Sequence, residues 1–297
     1  MTAPGALRGK RAARALLARM FGAAVAAASE FPGLPDLLPA PPQGRTALLS
    51  VGKAAVPMAR GLAQACRARG HALAGGLVVV PRGCARPCPP ATVIEASHPV
   101  PDGSSVRAAR RALALARELG SDDLLLAAFS GGGSSLLCAP LPGMGLRAKR
   151  QLSRALLRSG MDIARMNCLR SQFSLIKGGR IAEAASPAKV VTFVVSDIPG
   201  DDPALVASGP TLPPRFGAGD ALEIADSCGD ALPPWTLEML RGAARRGPQA
   251  KGSPSEVRAH LLATSSSALA AAKAAAESVG VAAEVLSDRV DGDAEDV

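Results

Sequence analysis

Tyrosine is absent from this 297-residue chain, tryptophan occurs once, and aromatic residues make up only 2%. Proteins that hold single-stranded nucleic acid stack its bases on aromatic rings, so this scarcity argues against that class of ligand. The six cysteines (Cys66, Cys84, Cys88, Cys138, Cys168 and Cys228) include no C-x-x-C pair. Cys84 and Cys88 have metal-like spacing but no second pair to complete a site, so zinc is not expected and the thiols read as reduced, in a cytoplasmic protein. No run of about 18 apolar residues free of charge and helix breakers occurs, so no membrane span is expected. Arg14 and Arg19 interrupt the apolar part of the N-terminus, which disfavours a secretory signal.

Hydrophobic residues make up 48% of the chain and the mean hydropathy is +0.19. A core built from Ala, Leu and Val is therefore expected, large enough for one domain and part or all of a second. The net charge of +9 is carried by arginines spread along the helices rather than clustered. That pattern reads as a solvated surface whose field favours small anionic substrates rather than nucleic acid. Near the N-terminus Leu16, Leu17, Met20, Ala24 and Ala27 fall close to helical spacing, which predicts a first core-packing helix.

Apolar, β-branched runs alternate with helical patterns along the rest of the chain. Strands are expected at Thr46–Val51, Gly76–Val80, Val93–Glu95, Leu124–Phe129 and Val190–Val195. Helices are expected after Gly52-Lys53 as far as Arg69, at Ser104–Leu119, Arg147–Gly160 and Asp162–Asn167, and from Leu175 to Ala185. Beyond Val195 the chain reads as irregular through Pro214. Alternation at this spacing predicts a doubly wound, mainly parallel Rossmann-like α/β sheet, in which ligands sit beyond the carboxyl ends of the strands. A second unit is expected from about residue 251, with a strand at Arg258–Ala263, a helix at Ser265–Val279, a strand at Ala282–Leu286 and a further helix beginning near the end. The expected division is 1–250 and 251–297.

Three of the strands run into polar or glycine-rich loops. Leu124–Phe129 ends in Ser130, Gly131, Gly132, Gly133, Ser134 and Ser135, where glycines let N–H groups converge on an anion and serines add hydroxyl donors. Lys53 follows a strand and precedes a helix, so its ammonium can reach a phosphoryl group or a carboxylate at the sheet's end. Asp197, Asp201 and Asp202 follow another strand; carboxylates there suit Mg²⁺, or Asp197 can act as a base toward a hydroxyl. Asp202, beside Pro203, also suits a helix cap. Asn167, Arg170 and Lys177 form a polar set fit for a phosphate or carboxylate. His98, before Pro99, reads as a loop residue rather than a ligand.

V-G-K-A-A (Val51–Ala55), H-P-V-P-D (His98–Asp102), S-G-G-G-S-S (Ser130–Ser135), N-x-x-R (Asn167–Arg170), I-K-G-G-R (Ile176–Arg180) and S-D-I-P-G-D-D-P-A-L-V-A-S-G-P-T (Ser196–Thr211) follow one another in family order, and the match extends over most of the chain from Thr46 onward. Together they resemble the ATP-dependent glycerate 2-kinases with a MOFRL-type C-terminal domain. The resemblance implies phosphoryl transfer from ATP to the 2-hydroxyl of D-glycerate, with Mg²⁺, in a cleft between two α/β domains. It implies that Lys53 stabilises the transferring phosphoryl group and that Ser130–Ser135 bind phosphate or the substrate carboxylate. Asp197 would be metal ligand or base, Asp201 a second metal ligand, and Ser208, Gly209 and Thr211 would line the cleft. Ser171 and Gln172 stand where that family carries a basic residue and often His, and Thr264-Ser265-Ser266 where it has a G-S-N-like loop. The family's chains run longer, so residues 251–297 read as the start of a truncated MOFRL-type domain. Small molecules are the expected partners, with no nucleic acid and no membrane; a homodimer is compatible. Two other readings remain: a remnant that binds nucleotide or glycerate without turnover, and a hydroxypyruvate reductase. Against the latter, Gly131 and Gly133 begin a G-x-G-x-x-G pattern whose third position is Leu136, and no acid follows about 20 residues on.

Overall fold

A computed structural model describes residues 9–213, 217–246 and 257–289. The strands are β1 (Thr46–Val51), β2 (Leu73–Pro81), β3 (Ala91–Ala96), β4 (Leu124–Ser130), β5 (Lys189–Val195) and β6 (Val257–Ala263). The helices up to β5 are α1 (Lys10–Ala27), α2 (Leu34–Leu37), α3 (Ala55–Arg69), α4 (Gly103–Arg117), α5 (Gly133–Leu136), α6 (Leu146–Arg158), α7 (Ile163–Gln172) and α8 (Arg180–Ala185). After β5 come α9 (Ala218–Ser227), α10 (Trp235–Arg246) and α11 (Ser265–Glu277).

All six strands are parallel, in the order β3-β2-β1-β4-β5-β6. This is the doubly wound arrangement: the chain runs outward from β1 to one edge, then returns to lay β4 on the other side of β1. The reversal opens a crevice at the carboxyl ends of β1 and β4, the place where such sheets take ligands.

Every residue of β1 and β4 is buried, as a parallel sheet covered on both faces requires. Their side chains divide with period two. Ala47, Leu49, Val51, Leu125, Ala127 and Phe129 join the core under α4, α5 and α8, whereas Leu48, Leu124, Leu126 and Ala128 join the one under α2 and α3. With few aromatics to fill space, alanine-rich helix faces let the layers approach closely; Ala108, Ala109 and Ala112 of α4 are fully buried. A third apolar cluster, around Leu152, Leu156, Leu169, Phe173, Ile224 and Leu240, holds α6, α7, α9 and α10 together. No element is assigned from the sequence at α9 or α10.

Three expectations need correction. The N-terminal helix packs against α11, and none of its residues is buried, with Leu17 62% and Phe21 72% exposed. The helix expected from Leu175 starts only at Arg180, because Gly178 and Gly179 take left-handed φ values of 65° and 83° and break the spiral ahead of it. Ala282–Leu286 is not a strand: the chain leaves α11 through Gly280 (φ 78°), and no neighbouring strand pairs with the segment. The strand expected at Arg258–Ala263 is β6, which pairs along β5 in the same sheet. The boundary at 250/251, Pro214 and the expected final helix lie outside the described residues.

Candidate active site

Lys53 and Asp197 meet across the glycine loop. β1 ends at Gly52, whose φ of 133° is open to glycine alone, and a Cβ there would overlap Ser130 and stand 2.7 Å from its carbonyl oxygen. This close approach lets the Lys53 N–H donate to Gly131 O (2.9 Å) and the Ala54 N–H to Ser130 Oγ (3.0 Å). The ends of β1 and β4 are thereby locked together. From β5 the Asp197 carboxylate lies directly over Gly131, where a Cβ would overlap it and have even its farther oxygen at 2.8 Å. Lys53 Nζ stands 3.9 Å from Asp197 Oδ2, and the two side chains are 59% and 50% exposed. An ion pair that open adds little to stability, which leaves both groups free for a ligand.

His98 completes this surface. Its ring lies over Gly132 (φ 83°), with Cδ2 and Nε2 at 2.9 and 3.0 Å from where a Cβ would stand. Partial burial and the Lys53 charge hold its pKa below the ordinary imidazole value, while Asp197 pulls the other way. The imidazole, on its loop, therefore lies beside the Lys53–Asp197 pair. The signal available was the H-P-V-P-D segment, in which Asp102 caps α4 by accepting from the Ser104 and Ser105 N–H groups and so fixes the loop's exit.

Behind the loop the structure gathers a second, buried group. Lys177 Nζ donates to Ser134 O (3.0 Å), to Ser134 Oγ and to Ser208 Oγ (3.2 Å). Ser208 Oγ donates to Asn167 Oδ1 (3.0 Å), and Asn167 Nδ2 donates to Leu205 O (3.1 Å). Burial, with Lys149 and Arg170 nearby, pushes the Lys177 ammonium well below its usual pKa. All three of its hydrogen-bonding directions are used within the protein. The Asn167–Ser208–Lys177–Ser134 chain thus braces the glycine loop against the Val206–Gly209 turn. Ala207 and Ser208 there have left-handed φ values of 52° and 64°, strain that such bracing can hold.

The other expected residues divide between exposed surface and internal work. Ser135 Oγ donates back to Gly132 O (3.0 Å), and Thr211 Oγ1 is buried in a 2.7 Å hydrogen bond with Thr192 Oγ1 of β5. Gly209 (φ 56°) packs so tightly that a Cβ would stand 2.5 Å from Ala204 O. Gly133 packs on Ala207. Arg170 has its pKa lowered by burial, and among the described residues its guanidinium has no hydrogen-bond or ion-pair partner. Ser171 donates to Cys168 O (2.7 Å), and the Asp202 side chain accepts from the Ala204 N–H (2.9 Å), closing a turn. Thr264 caps α11 by accepting from the Ser267 N–H (3.1 Å).

Asp201, also expected at a metal, has a left-handed φ of 51° and a buried Oδ1 without a hydrogen-bond partner. An orphaned carboxylate oxygen suits a cation. No group of three or more His, Cys, Asp or Glu side chains placed to hold a metal occurs among the described residues. Carboxylates in ones and twos are what Mg²⁺ uses when substrate phosphates and water supply its remaining ligands, and Asp197 and Asp201 are donors of that kind.

Fold and site together define a doubly wound α/β protein with a glycine-rich loop at its topological switch point, faced by one lysine and one aspartate. Residues 14–241 match the family described as "Domain of unknown function (DUF4147)", and the chain belongs to that family. It is 44% identical over 254 residues to a protein of Agrobacterium vitis named "Putative hydroxypyruvate reductase", covering 86% of this chain and 64% of that protein. It is 36% identical over 251 residues to the D-glycerate 2-kinase of Thermotoga maritima, covering 84% of this chain and 58% of the relative. The crystal structure of a Thermotoga maritima glycerate kinase superposes with a TM-score of 0.74 at 32% identity, over 92% of this chain and 65% of that one. The chain thus spans less than two thirds of the length of these relatives. No helix among the described residues is long and apolar enough to cross a membrane.

Proposed function

We propose that the chain carries the phosphoryl-transfer half of an ATP-dependent glycerate 2-kinase acting in the cytoplasm. The observation that carries this reading is the meeting of Lys53 and Asp197 over Gly131 at the switch point, and similarity to proteins named glycerate kinase supports it. The glycine loop offers backbone N–H groups and Lys53 an ammonium to the oxygens of the transferring group, where negative charge builds. Asp197 accepts the proton of the 2-hydroxyl as its oxygen bonds to the γ-phosphorus and the bond from that phosphorus to the ADP oxygen breaks. The products are 2-phosphoglycerate and ADP. Asp197 and Asp201 are the residues that would hold Mg²⁺, which would supply neutralisation of phosphate charge.

Incubation of the chain with ATP, Mg²⁺ and D-glycerate, with identification of the phosphoglycerate isomer, tests this reading. Formation of 2-phosphoglycerate, abolished in Lys53→Ala, is the expected result. NADH consumption with hydroxypyruvate instead would select the reductase reading. Nucleotide or glycerate binding without turnover, cured by a longer chain, would assign the missing chemistry to sequence beyond this chain.

A further inference from the structure

Away from the strand ends, α6 carries a charge pattern that the proposed reaction does not use. Its thirteen residues include Arg147, Lys149, Arg150, Arg154 and Arg158 and no acid. Lys149 turns inward, donating to Arg170 O (3.2 Å) and Phe173 O (3.0 Å) at the end of α7. The four arginines, spaced three, four and four residues apart, form one stripe about 16 Å long on the other side. That stripe walls a groove of about 930 Å³ whose facing wall is the Asp230–Pro234 segment.

Three features separate this groove from an ordinary solvated helix face. Arg147, Arg154 and Arg158 are exposed, and among the described residues their guanidiniums have no hydrogen-bond or ion-pair partner. Asp230 is the single carboxylate on the described lining. The arrangement also costs local stability. Arginines at i and i+4 repel one another, and Arg147 and Arg150 stand near the helix's positive N-terminal end. Arg150 Nε donates to Pro101 O (2.6 Å), which fixes one guanidinium at the end of the groove nearest the His98–Asp102 loop.

We propose that this groove is a second anion site, which takes a small ligand carrying a chain of phosphates. Guanidinium forks match phosphate oxygens in pairs, and successive forks along a helix match successive phosphates. The volume is that of a small-molecule site, and among the described residues no aromatic side chain lines it to stack the bases of a nucleic-acid strand. The phosphate chain can belong to a nucleoside triphosphate or to inorganic polyphosphate. The proposal is independent of the kinase reading, because it concerns binding at different residues.

Calorimetric titration with inorganic tripolyphosphate, and separately with ATP, tests it on the wild-type chain, Lys53→Ala and the double variant Arg154→Gln/Arg158→Gln. The tripolyphosphate binding event that survives in Lys53→Ala should become about tenfold or more weaker in the arginine variant, as two lost charge-assisted hydrogen bonds require. An ATP binding event that weakens in the arginine variant and is tighter than that of tripolyphosphate would identify a nucleotide as the ligand of the groove; equal affinity would show that the phosphates alone are read. Absence of tripolyphosphate binding at low salt, equal binding in the arginine variant, or loss in Lys53→Ala alone would overturn the site. Phenylglyoxal labelling of the unmodified chain checks the same point without a variant: tripolyphosphate must shield Arg154 and Arg158, and unchanged labelling refutes the proposal.

Discussion

Replacing Gly131 with alanine separates what the glycine loop does for folding from what it does for chemistry. The backbone at Gly131 lies outside the left-handed region, so alanine meets no conformational penalty there. Its methyl group would overlap the Asp197 carboxylate, which must retreat by more than about 1 Å. That carboxylate is half exposed and has room to swing, and its partnership with Lys53 is worth little to stability. Gly131→Ala should therefore change unfolding free energy by no more than about 1 kcal/mol. Turnover should fall by roughly 10²-fold, the cost of misplacing a reacting group by an ångström. Gly52→Ala is the contrasting control. There the methyl meets the Ser130 carbonyl, which belongs to a ladder strand and cannot swing, and φ is 133°. Backbone strain and overpacking together should cost about 3 kcal/mol or more. Urea denaturation of both variants, paired with the phosphoryl-transfer assay, reads out each arm. Wild-type kcat/KM in Gly131→Ala would refute the role given to the Asp197 pose. A stability loss matching that of Gly52→Ala would refute the claim that the carboxylate is free to yield.

Two further outcomes follow from the charged groups. With only three histidines in the chain, the His98 imidazole can be followed by NMR titration; its pKa should rise in Lys53→Ala and fall further in Asp197→Asn, and immobility in both would place His98 away from the pair. Buried Lys149 has a pKa of about 8 in the folded protein against 10.5 ordinarily, so between those values the unfolded chain keeps a proton that the native state has released. Stability relative to Lys149→Met should accordingly rise with pH across that window, by about 3 kcal/mol in all, and fall back as pH drops through 8. Cys66 and Cys168, whose thiols burial pushes up to about 11, act equally in both proteins and cancel, whereas Lys177 and Cys138 feel the Lys149 charge and shift in the variant, so Lys177→Met and Cys138→Ala backgrounds are measured alongside. A flat difference between pH 7 and 11 would show that Lys149 is not desolvated.

Local patterning settled a good deal by itself. Leu124–Phe129 had to be a strand buried on both faces, because six apolar residues in a row have no polar side to show to water. Alternation of such runs with helical periods was enough for the doubly wound class, and polar loops at three strand ends marked the sheet edge where Lys53, Asp197 and Ser130–Ser135 now stand. Contacts between distant segments were not legible. α9 and α10 owe their place to packing against α6 and α7, which a local period does not encode. Residue type marked Lys177 as a cation, but only the fold shows that Ser134 and Ser208, 43 and 31 residues away, occupy all its donors. His98 looked idle for the same reason: its neighbours Gly132, Lys53 and Asp197 come from three other strand ends. Chain order dictates which groups leave each strand, whereas the crossover that sets β4 beside β1 decides which of them meet.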